Sequence, residues 1–398
     1  MDITITPGLL CGDVEAVPSK SMAHRYLICA AFADAITNIY CPAINQDIEA
    51  TVVCLQALGS EISYDNVRFT VKPARQIPKS AVLDCGESGS TLRFLLPIVG
   101  ALGVNATFIL KGHLADRPVG DLCQEMTRMG CQIQRPEHHT LICSGQLQAG
   151  NYHITGSVSS QFASGLLFAM ALIPGNCHLN ITDTLQSKPY VHMTRQALEH
   201  FSIDTNDLTI SADSKFRTPK ELFVEGDWSN AAFYFAANAL GSSVNIRGLD
   251  PHSIQGDQNI TRFLSILDNY SVIDGADTPD LIPVLSVIAA AKQGAVFMNI
   301  EKLRYKESDR VAAIISMLDA FGVSASATIN ELTVKPGRLN GCTVDPCGDH
   351  RIAMSAAIAA TIANGPVTIL NAECVSKSYP HFWQDFRKLG GKYEQHIR

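Results

Sequence analysis

Arg304-Tyr305-Lys306-Glu307-Ser308-Asp309-Arg310 packs five formal charges into seven residues, directly after a predicted strand. Glu307 and Arg310 stand three apart, so a helix starting here would put both on one face. Asp349-His350-Arg351 is a second dense group in a chain with few charges. Asp116-Arg117-Pro118 follows a Gly-containing turn, and Ser187-Lys188-Pro189-Tyr190 reads as a loop. Lys20, Ser21, Ser88, Gly89, Ser90, Arg93, Ser159, Ser160, Gln161, His350 and Arg351 each fall just ahead of, or just inside, an apolar run. Free N–H groups and the positive dipole end make a helix N-terminus a place for phosphate or carboxylate. Capping alone accounts for Ser and Asp at such sites. It does not account for Lys20, Arg25, Arg93 and Arg351, since cations early in a helix oppose its dipole. An anionic ligand would remove that conflict.

The elements that position these residues recur along the chain. A short strand, a Gly or Pro, small polar residues and an apolar helix follow one another at Val17–Ser21, Leu83–Gly89, Ile154–Ser159, Val224–Ser229, Asp277–Asp280 and Val344–Asp349. Gly86, Gly156 and Gly226 repeat at intervals of 70 residues. The following helices, predicted over 163–173, 231–240, 281–291 and 353–363, are apolar on most faces and must be buried on most faces. Strands are predicted next, over 106–110, 178–182, 243–247, 295–300 and 367–370. A second, amphipathic helix then ends in an apolar residue plus Gly, at Leu58-Gly59, Met129-Gly130, Phe321-Gly322 and Leu389-Gly390. His200-Phe201 and Asn269-Tyr270 take the same place without the Gly. The alternation in Val67–Val71 and Leu332–Val334 suits half-exposed hairpin strands. Each unit reads strand–helix–strand–helix–strand–strand, about six times over. Alternating strands and helices imply an α/β fold with some parallel pairing.

Composition agrees with buried helices. Of 398 residues 46% are hydrophobic and 17% charged, against a usual charged share of about 25%. Length alone predicts two to four domains at roughly 100–200 residues each. A net charge of −7 argues against a duplex nucleic acid partner but leaves room for a local basic site. Met1–Pro7 has no basic n-region and no apolar h-region, so no secretory signal is expected. The apolar runs fall short of the ~20 residues of a membrane helix. The twelve cysteines show no C-x-x-C pair or zinc spacing, and reduced, buried thiols in a cytoplasmic protein are expected. Walker, dinucleotide and nucleophile-elbow glycine motifs are missing from the sequence. His138 and His139 adjoin a hairpin and are expected on the surface rather than on a metal.

Taken in order, eight segments resemble the 5-enolpyruvylshikimate-3-phosphate synthase family of enolpyruvyl transferases. They are Pro18–Arg25, Gly86–Arg93, Asp116–Gly120, Gly156–Phe162, Ser187–Tyr190, Lys306–Arg310, Gly348–Arg351 and Ser376–Pro380 with Lys377. The resemblance implies a two-domain inverse α/β barrel of six βαβαββ subdomains, three per domain. It implies a discontinuous domain of residues 1–19 and 226–398, a second domain of 20–225, hinges near 19–20 and 225–227, and an active site in the interdomain cleft.

The implied reaction moves the enolpyruvyl group of phosphoenolpyruvate to the 5-hydroxyl of shikimate 3-phosphate, without metal or organic cofactor. By resemblance, Lys20, Asp280 and Glu307 share proton transfer. Lys20, Gly89, Arg93, Arg117, Gln161, Arg310, His350, Arg351 and Lys377 would hold phosphoenolpyruvate. Lys20, Ser21, Arg25, Ser159, Ser160, Gln161, Ser187, Tyr190, Asp280 and Lys306 would hold shikimate 3-phosphate. The resemblance further implies a cytoplasmic monomer of chorismate and aromatic amino acid biosynthesis, with no nucleic acid or membrane partner. Val17-Pro18, Glu87 and Lys302 depart from residues common in the family. The alternatives are the UDP-N-acetylglucosamine enolpyruvyl transferases, which carry Lys-Asn where Lys20-Ser21 stands and commonly a cysteine before their Arg-Pro, and a non-catalytic homologue.

Overall fold

A computed structural model describes residues 1–156 and 159–396, so Ser157 and Val158 of the Gly156–Phe162 motif lie outside the described residues. The chain divides into two compact units, residues 1–17 with 226–398, and residues 18–225. Within the first, Asp227 N–H donates to Val17 O (2.7 Å); within the second, Ser19 N–H donates to Glu225 O (2.8 Å).

The first unit opens with β1 (Asp2–Thr6) and β2 (Cys11–Glu15). The second unit then forms three sheets. α1 (Lys20–Ala31), β3 (Thr37–Tyr40), α2 (Gln46–Ala57), β4 (Glu61–Tyr64) and β5 (Arg68–Lys72) make the first. β6 (Ser80–Asp84), α3 (Gly89–Leu102), β7 (Asn105–Ile109), α4 (Gly120–Arg128), β8 (Cys131–Glu137) and β9 (Thr140–Gly145) make the next. β10 (Gly150–Ile154), α5 (Ser160–Met170), β11 (Cys177–Ile181), α6 (Lys188–His200) and β12 (Thr209–Ile210) make the last, and β13 (Glu221–Phe223) returns to lie parallel to β3.

The first unit resumes with α7 (Trp228–Ala239), β14 (Ser243–Arg247) and α8 (Ile260–Ile266), β14 pairing with β2. β15 (Ser271–Asp274), α9 (Ile282–Ala291), β16 (Ala295–Met298), α10 (Arg310–Ala320), β17 (Ala325–Ala327) and β18 (Glu331–Val334) follow. β19 (Cys342–Val344), α11 (His350–Ala360), β20 (Val367–Ile369), α12 (Phe382–Lys388) and β21 (Lys392–His396) close the chain around β1.

Among the described residues four of the six sheets share one order, β13-β3-β5-β4, β6-β7-β9-β8, β15-β16-β18-β17 and β19-β20-β1-β21. In each the first pair is parallel and the others antiparallel. The βαβαββ order is continuous in residues 80–145 and 271–334; two further sheets are completed by the remote strands β13 and β1. The remaining two are shorter than the expected unit, β10-β11-β12 and β14-β2. Left-handed backbone follows α6 at Ser202 and recurs at Asp207 and Leu208, immediately before β12. The amphipathic helices stop where expected, with Leu58, Met129, Phe201, Phe321 and Leu389 as C-caps. α8 stops two residues earlier than expected, at Leu267.

Three of the four apolar helices with predicted starts, α5, α7 and α11, begin about one turn earlier, inside the polar motifs themselves, whereas α9 begins at Ile282, one residue after its predicted start. Ser19, Ser88, Ser159, Asp227 and Asp349 each cap a helix by accepting a backbone N–H. In the first unit α7, α9 and α11 pack on one another; in the second α3 packs on α5, and α1 on α2 and α6. Seven of the twelve cysteines are buried; Cys11 and Cys347 are exposed, against the expectation for the set. His138 and His139 lie exposed between β8 and β9. Among the described residues no helix is long and apolar enough to cross a membrane.

Gly165 sets how closely α5 approaches α3. A Cβ there would run into the Arg93 carbonyl oxygen and come within 3.2 Å of Pro97 Cγ. Backbone cannot swing aside as a side chain can. We expect Gly165→Ala to lower unfolding free energy by about 1–3 kcal/mol, as overpacking does. Urea denaturation checks this, and an unchanged midpoint would contradict the close approach.

Candidate functional site

The second unit gathers its candidates at helix N-termini. Lys20 opens α1 and its Nζ lies 2.9 Å from Asp47 Oδ2 in the first turn of α2. Gly89 opens α3. A Cβ there would stand 2.6 Å from Arg93 Nη1 and 2.8 Å from Arg117 Nη1. The missing side chain therefore leaves room for two guanidinium groups to converge on a helix N-terminus, where anions are favoured. Arg93 Nη1 donates to Gln161 Oε1 (3.0 Å) and Nη2 to Pro118 O (3.1 Å). Gln161 Nε2 in turn donates to Ser90 Oγ (2.9 Å), tying α5 to α3. Ser159 caps α5, with Ser160 as its first residue. Glu87 turns its carboxylate onto Gly112, in the 3-10 turn Gly112–Asp116 that leads to Arg117.

Arg25 sits deeper than a surface ligand group, at 2% exposure. Nε donates to Thr194 Oγ1 (2.9 Å), Nη1 to Ser21 O (2.6 Å) and Nη2 to Tyr190 O (2.8 Å). Burial pushes its guanidinium down to about 10, still cationic at neutral pH. Arg25 thereby joins α1 to α6, and Ser187, buried with φ +56°, caps α6.

The first unit builds its candidates around Arg310, 1% exposed. Its Nη1 meets Asp280 Oδ1 (2.8 Å), Nη2 meets Glu307 Oε2 (2.7 Å) and Nε meets Asp349 Oδ2 (2.9 Å). Arg351 Nη2 reaches Asp280 Oδ2 (3.2 Å) and Ser229 Oγ (2.7 Å), and Nη1 reaches Ser229 O (2.8 Å). Lys306 Nζ lies 4.0 Å from Asp280 Oδ1. Burial alone would raise the Asp280 carboxyl; the Arg351, Lys306 and Arg310 charges outweigh it and hold the group well below the usual carboxylate range. Burial would lower Arg310, but Asp349, Glu307 and Asp280 raise it overall. His350 opens α11 behind Asp349, and Lys377 ends the 3-10 helix Ala372–Lys377; both are buried.

Two sequence expectations change here. Glu307 and Arg310 do meet, but not on one helix face: Asp309 caps α10, Arg310 is its first residue and Glu307 precedes the cap. The conflict between early cations and helix dipoles is also met partly by the protein itself, since Lys20, Arg310 and Arg351 face carboxylates and Arg25 faces carbonyls. Asp47, Ser229, Ser308 and Thr194 were not singled out. Asp47 and Thr194 carry no motif, Ser229 and Ser308 lie inside motif segments that assign them no role, and proximity to Lys20, Arg25, Arg351 and Asp349 arises only on folding. Asp349 was visible as a charged residue but not as the shared cap and Arg310 partner. Lys302 lies in the 3-10 helix Glu301–Tyr305. Among the described residues no group of three or more His, Cys, Asp or Glu is placed to hold a metal ion.

Arg310→Met would leave three carboxylates around an uncharged side chain. We expect it to cost about 3–5 kcal/mol of unfolding free energy, the usual effect of breaking a buried pair; a change under about 1 kcal/mol in urea melts would contradict the pairing. Asp280 also sets a pH dependence. Its folded pKa lies below the unfolded value of about 3.9, so its contribution is present above that value and lost as pH falls further. The thermal midpoint should drop as pH falls from about 4 towards 2, and drop less steeply in Asp280→Asn. Equal slopes would remove Asp280 from the acid transition.

The sequence profile of EPSP synthase (3-phosphoshikimate 1-carboxyvinyltransferase) matches residues 5–268 and 268–386. A 3-phosphoshikimate 1-carboxyvinyltransferase of Clostridium perfringens is 37% identical, with 98% of each chain covered. One from Clostridium kluyveri is 36% identical over 99% of this chain and 98% of its own. The EPSP synthase structure from Acinetobacter baumannii superposes with a TM-score of 0.80 at 22% identity, covering 99% of this chain and 100% of that one. That likeness extends to the whole α/β fold. With the profile and near-full-length identity together, the chain belongs to the EPSP synthase family.

Proposed function

We propose that the chain transfers the enolpyruvyl group of phosphoenolpyruvate to the 5-hydroxyl of shikimate 3-phosphate, a step of chorismate and aromatic amino acid biosynthesis. The curated relatives bear the name of that transferase. The hydroxyl oxygen adds to C2 of phosphoenolpyruvate while its methylene carbon takes a proton. Phosphate then leaves from the tetrahedral intermediate and the methyl group returns a proton, restoring the double bond. The phosphate is itself the leaving group, so the reaction balances without oxidant or reductant.

The observation that carries the reading is the Arg310 cluster. Two carboxylates, Asp280 and Glu307, sit on one guanidinium beside Lys306 and Arg351. Asp280 stays ionised and can accept a hydrogen bond from a substrate hydroxyl. Glu307 meets Arg310 through Oε2 and is the carboxylate that trades protons with substrate in this reading. Lys20 is the third proton-transfer group. Gly89, Arg93, Arg117 and Gln161 form the anion cradle for phosphoenolpyruvate, with Arg310, His350, Arg351 and Lys377 serving the same substrate. Ser21, Arg25, Ser159, Ser160, Ser187, Tyr190 and Lys306 serve shikimate 3-phosphate, Arg25 partly by holding α6. We take the active species to be a monomer in the cytoplasm.

A phosphate-release assay with both substrates tests the reaction. We expect turnover with shikimate 3-phosphate and none with UDP-N-acetylglucosamine; the reverse result would transfer the chain to the other substrate. Lys20→Ala and Glu307→Gln should each cut kcat by at least about 100-fold, the lower range for acid–base groups. A near-normal rate in either removes that residue from proton transfer.

A further inference from the structure

Beneath the Lys20–Asp47 pair runs a second contact between the same helices. His24 lies four residues after Lys20 on α1, and Thr51 four after Asp47 on α2, so each pair shares a helix face. His24 Nδ1 and Thr51 Oγ1 are 2.7 Å apart. Thr51 Oγ1 lies 2.6 Å from Thr91 Oγ1 on α3, which donates to Ser88 Oγ at 2.7 Å. Ser88 is the cap of the helix that carries Gly89 and Arg93. His24, Thr51, Thr91 and Ser88 are all fully buried.

The direction of the chain follows from its hydrogens. A hydroxyl has one to give, and that of Thr91 goes to Ser88 Oγ, with the Asp47 carbonyl oxygen at 3.4 Å as the other acceptor in its reach. Thr51 must then donate to Thr91, and His24 must donate to Thr51 from Nδ1–H. This tautomer is assigned from the network. It leaves Nε2, the atom with no hydrogen-bond partner, as a bare lone pair rather than a stranded N–H. Burial pushes His24 down to about 3, so the ring stays neutral and the polarity of the chain is fixed at neutral pH.

Apolar side chains would pack three helices together without desolvating hydroxyls. A buried hydroxyl chain is satisfied in one relative placement of the helices only. We propose that His24, Thr51 and Thr91 are positioning residues that fix Lys20 relative to the anion cradle at Gly89, Arg93 and Arg117. None of the three touches substrate in this proposal; they act through α1, α2 and the Ser88 cap. The inference rests on the proposed reaction for its kinetic meaning and on the geometry alone for the placement of Lys20.

Thr51→Val keeps the side chain's shape and removes both bonds of its hydroxyl. We expect KM for phosphoenolpyruvate to rise about tenfold as Lys20 shifts from the cradle, and KM for shikimate 3-phosphate to rise less, since Ser21, Arg25, Ser159, Ser160, Ser187 and Tyr190 still hold that substrate. Thr51→Ser should restore the parent values. If Thr51→Val does not fold, Thr91→Val carries the same expectation. Equal rises in both KM values, a loss of thermal stability with unchanged kinetics, or no rescue by Ser would overturn the proposal. Amine labelling of Lys20 in the substrate-free protein, read by mass spectrometry, reports the placement without turnover. It should speed up about threefold in Thr51→Val as the Asp47 pair loosens; an unchanged rate would also overturn the proposal. Faster labelling in a chain whose parent releases no phosphate would instead sink the reaction and leave the positioning role intact.

Discussion

A cation carried inward on a buried helix has to be met there by a carboxylate or a carbonyl, because its desolvation is otherwise too costly. Much of this protein's organisation answers to that requirement. Arg310 enters at the first turn of α10 and is held by three carboxylates from three chain segments. Arg351 enters on α11 and shares Asp280 with it. Arg25 enters on α1 and is met by carbonyls of its own helix and of α6. Asp349 is doubly committed, capping α11 and bonding Arg310. The helices cannot slide independently of these contacts, so the charged groups also fix the packing.

The same arrangement suits the proposed chemistry. A carboxylate kept ionised by neighbouring guanidinium groups can orient a hydroxyl. A cationic cluster balanced by carboxylates can exchange some of those contacts for phosphate oxygens. In the other unit the absence of a side chain matters as much as its presence. Gly89 leaves the helix end open to two guanidinium groups, and Gly165 lets α5 bring Gln161 to Arg93. Small residues and long cations thus act together: one makes the space, the other fills it with charge.

The legible part of the fold was the repeat. Spaced glycines, apolar helices and the apolar–Gly stops located most elements, and the C-caps at Leu58, Met129, Phe321 and Leu389 fall where that pattern puts them. The starts of α5, α7 and α11 lie a turn ahead of their apolar runs, because a Ser or Asp cap resembles loop sequence and only the N–H it accepts marks the first turn. Shortened units such as β10-β11-β12 and β14-β2 were invisible, since a strand exists only if a partner lies beside it. Of the site, the charged and glycine-rich motifs were legible; the partners Asp47 and Thr194, outside any motif, were not, nor was the contact of Ser229 with Arg351.

By itself the sequence determined which residues could cap, which helices had to be buried, and a family resemblance carried by eight ordered segments. Tertiary structure decided which charges meet. Arg310 lies 30 residues from Asp280 and 39 from Asp349 along the chain, and no local periodicity brings them together. It likewise decided that Thr51 joins His24 to Thr91, from three different helices. Local propensity acts over a turn or two, whereas hydrogen bonds and ion pairs depend on distances that only the packing of whole helices sets.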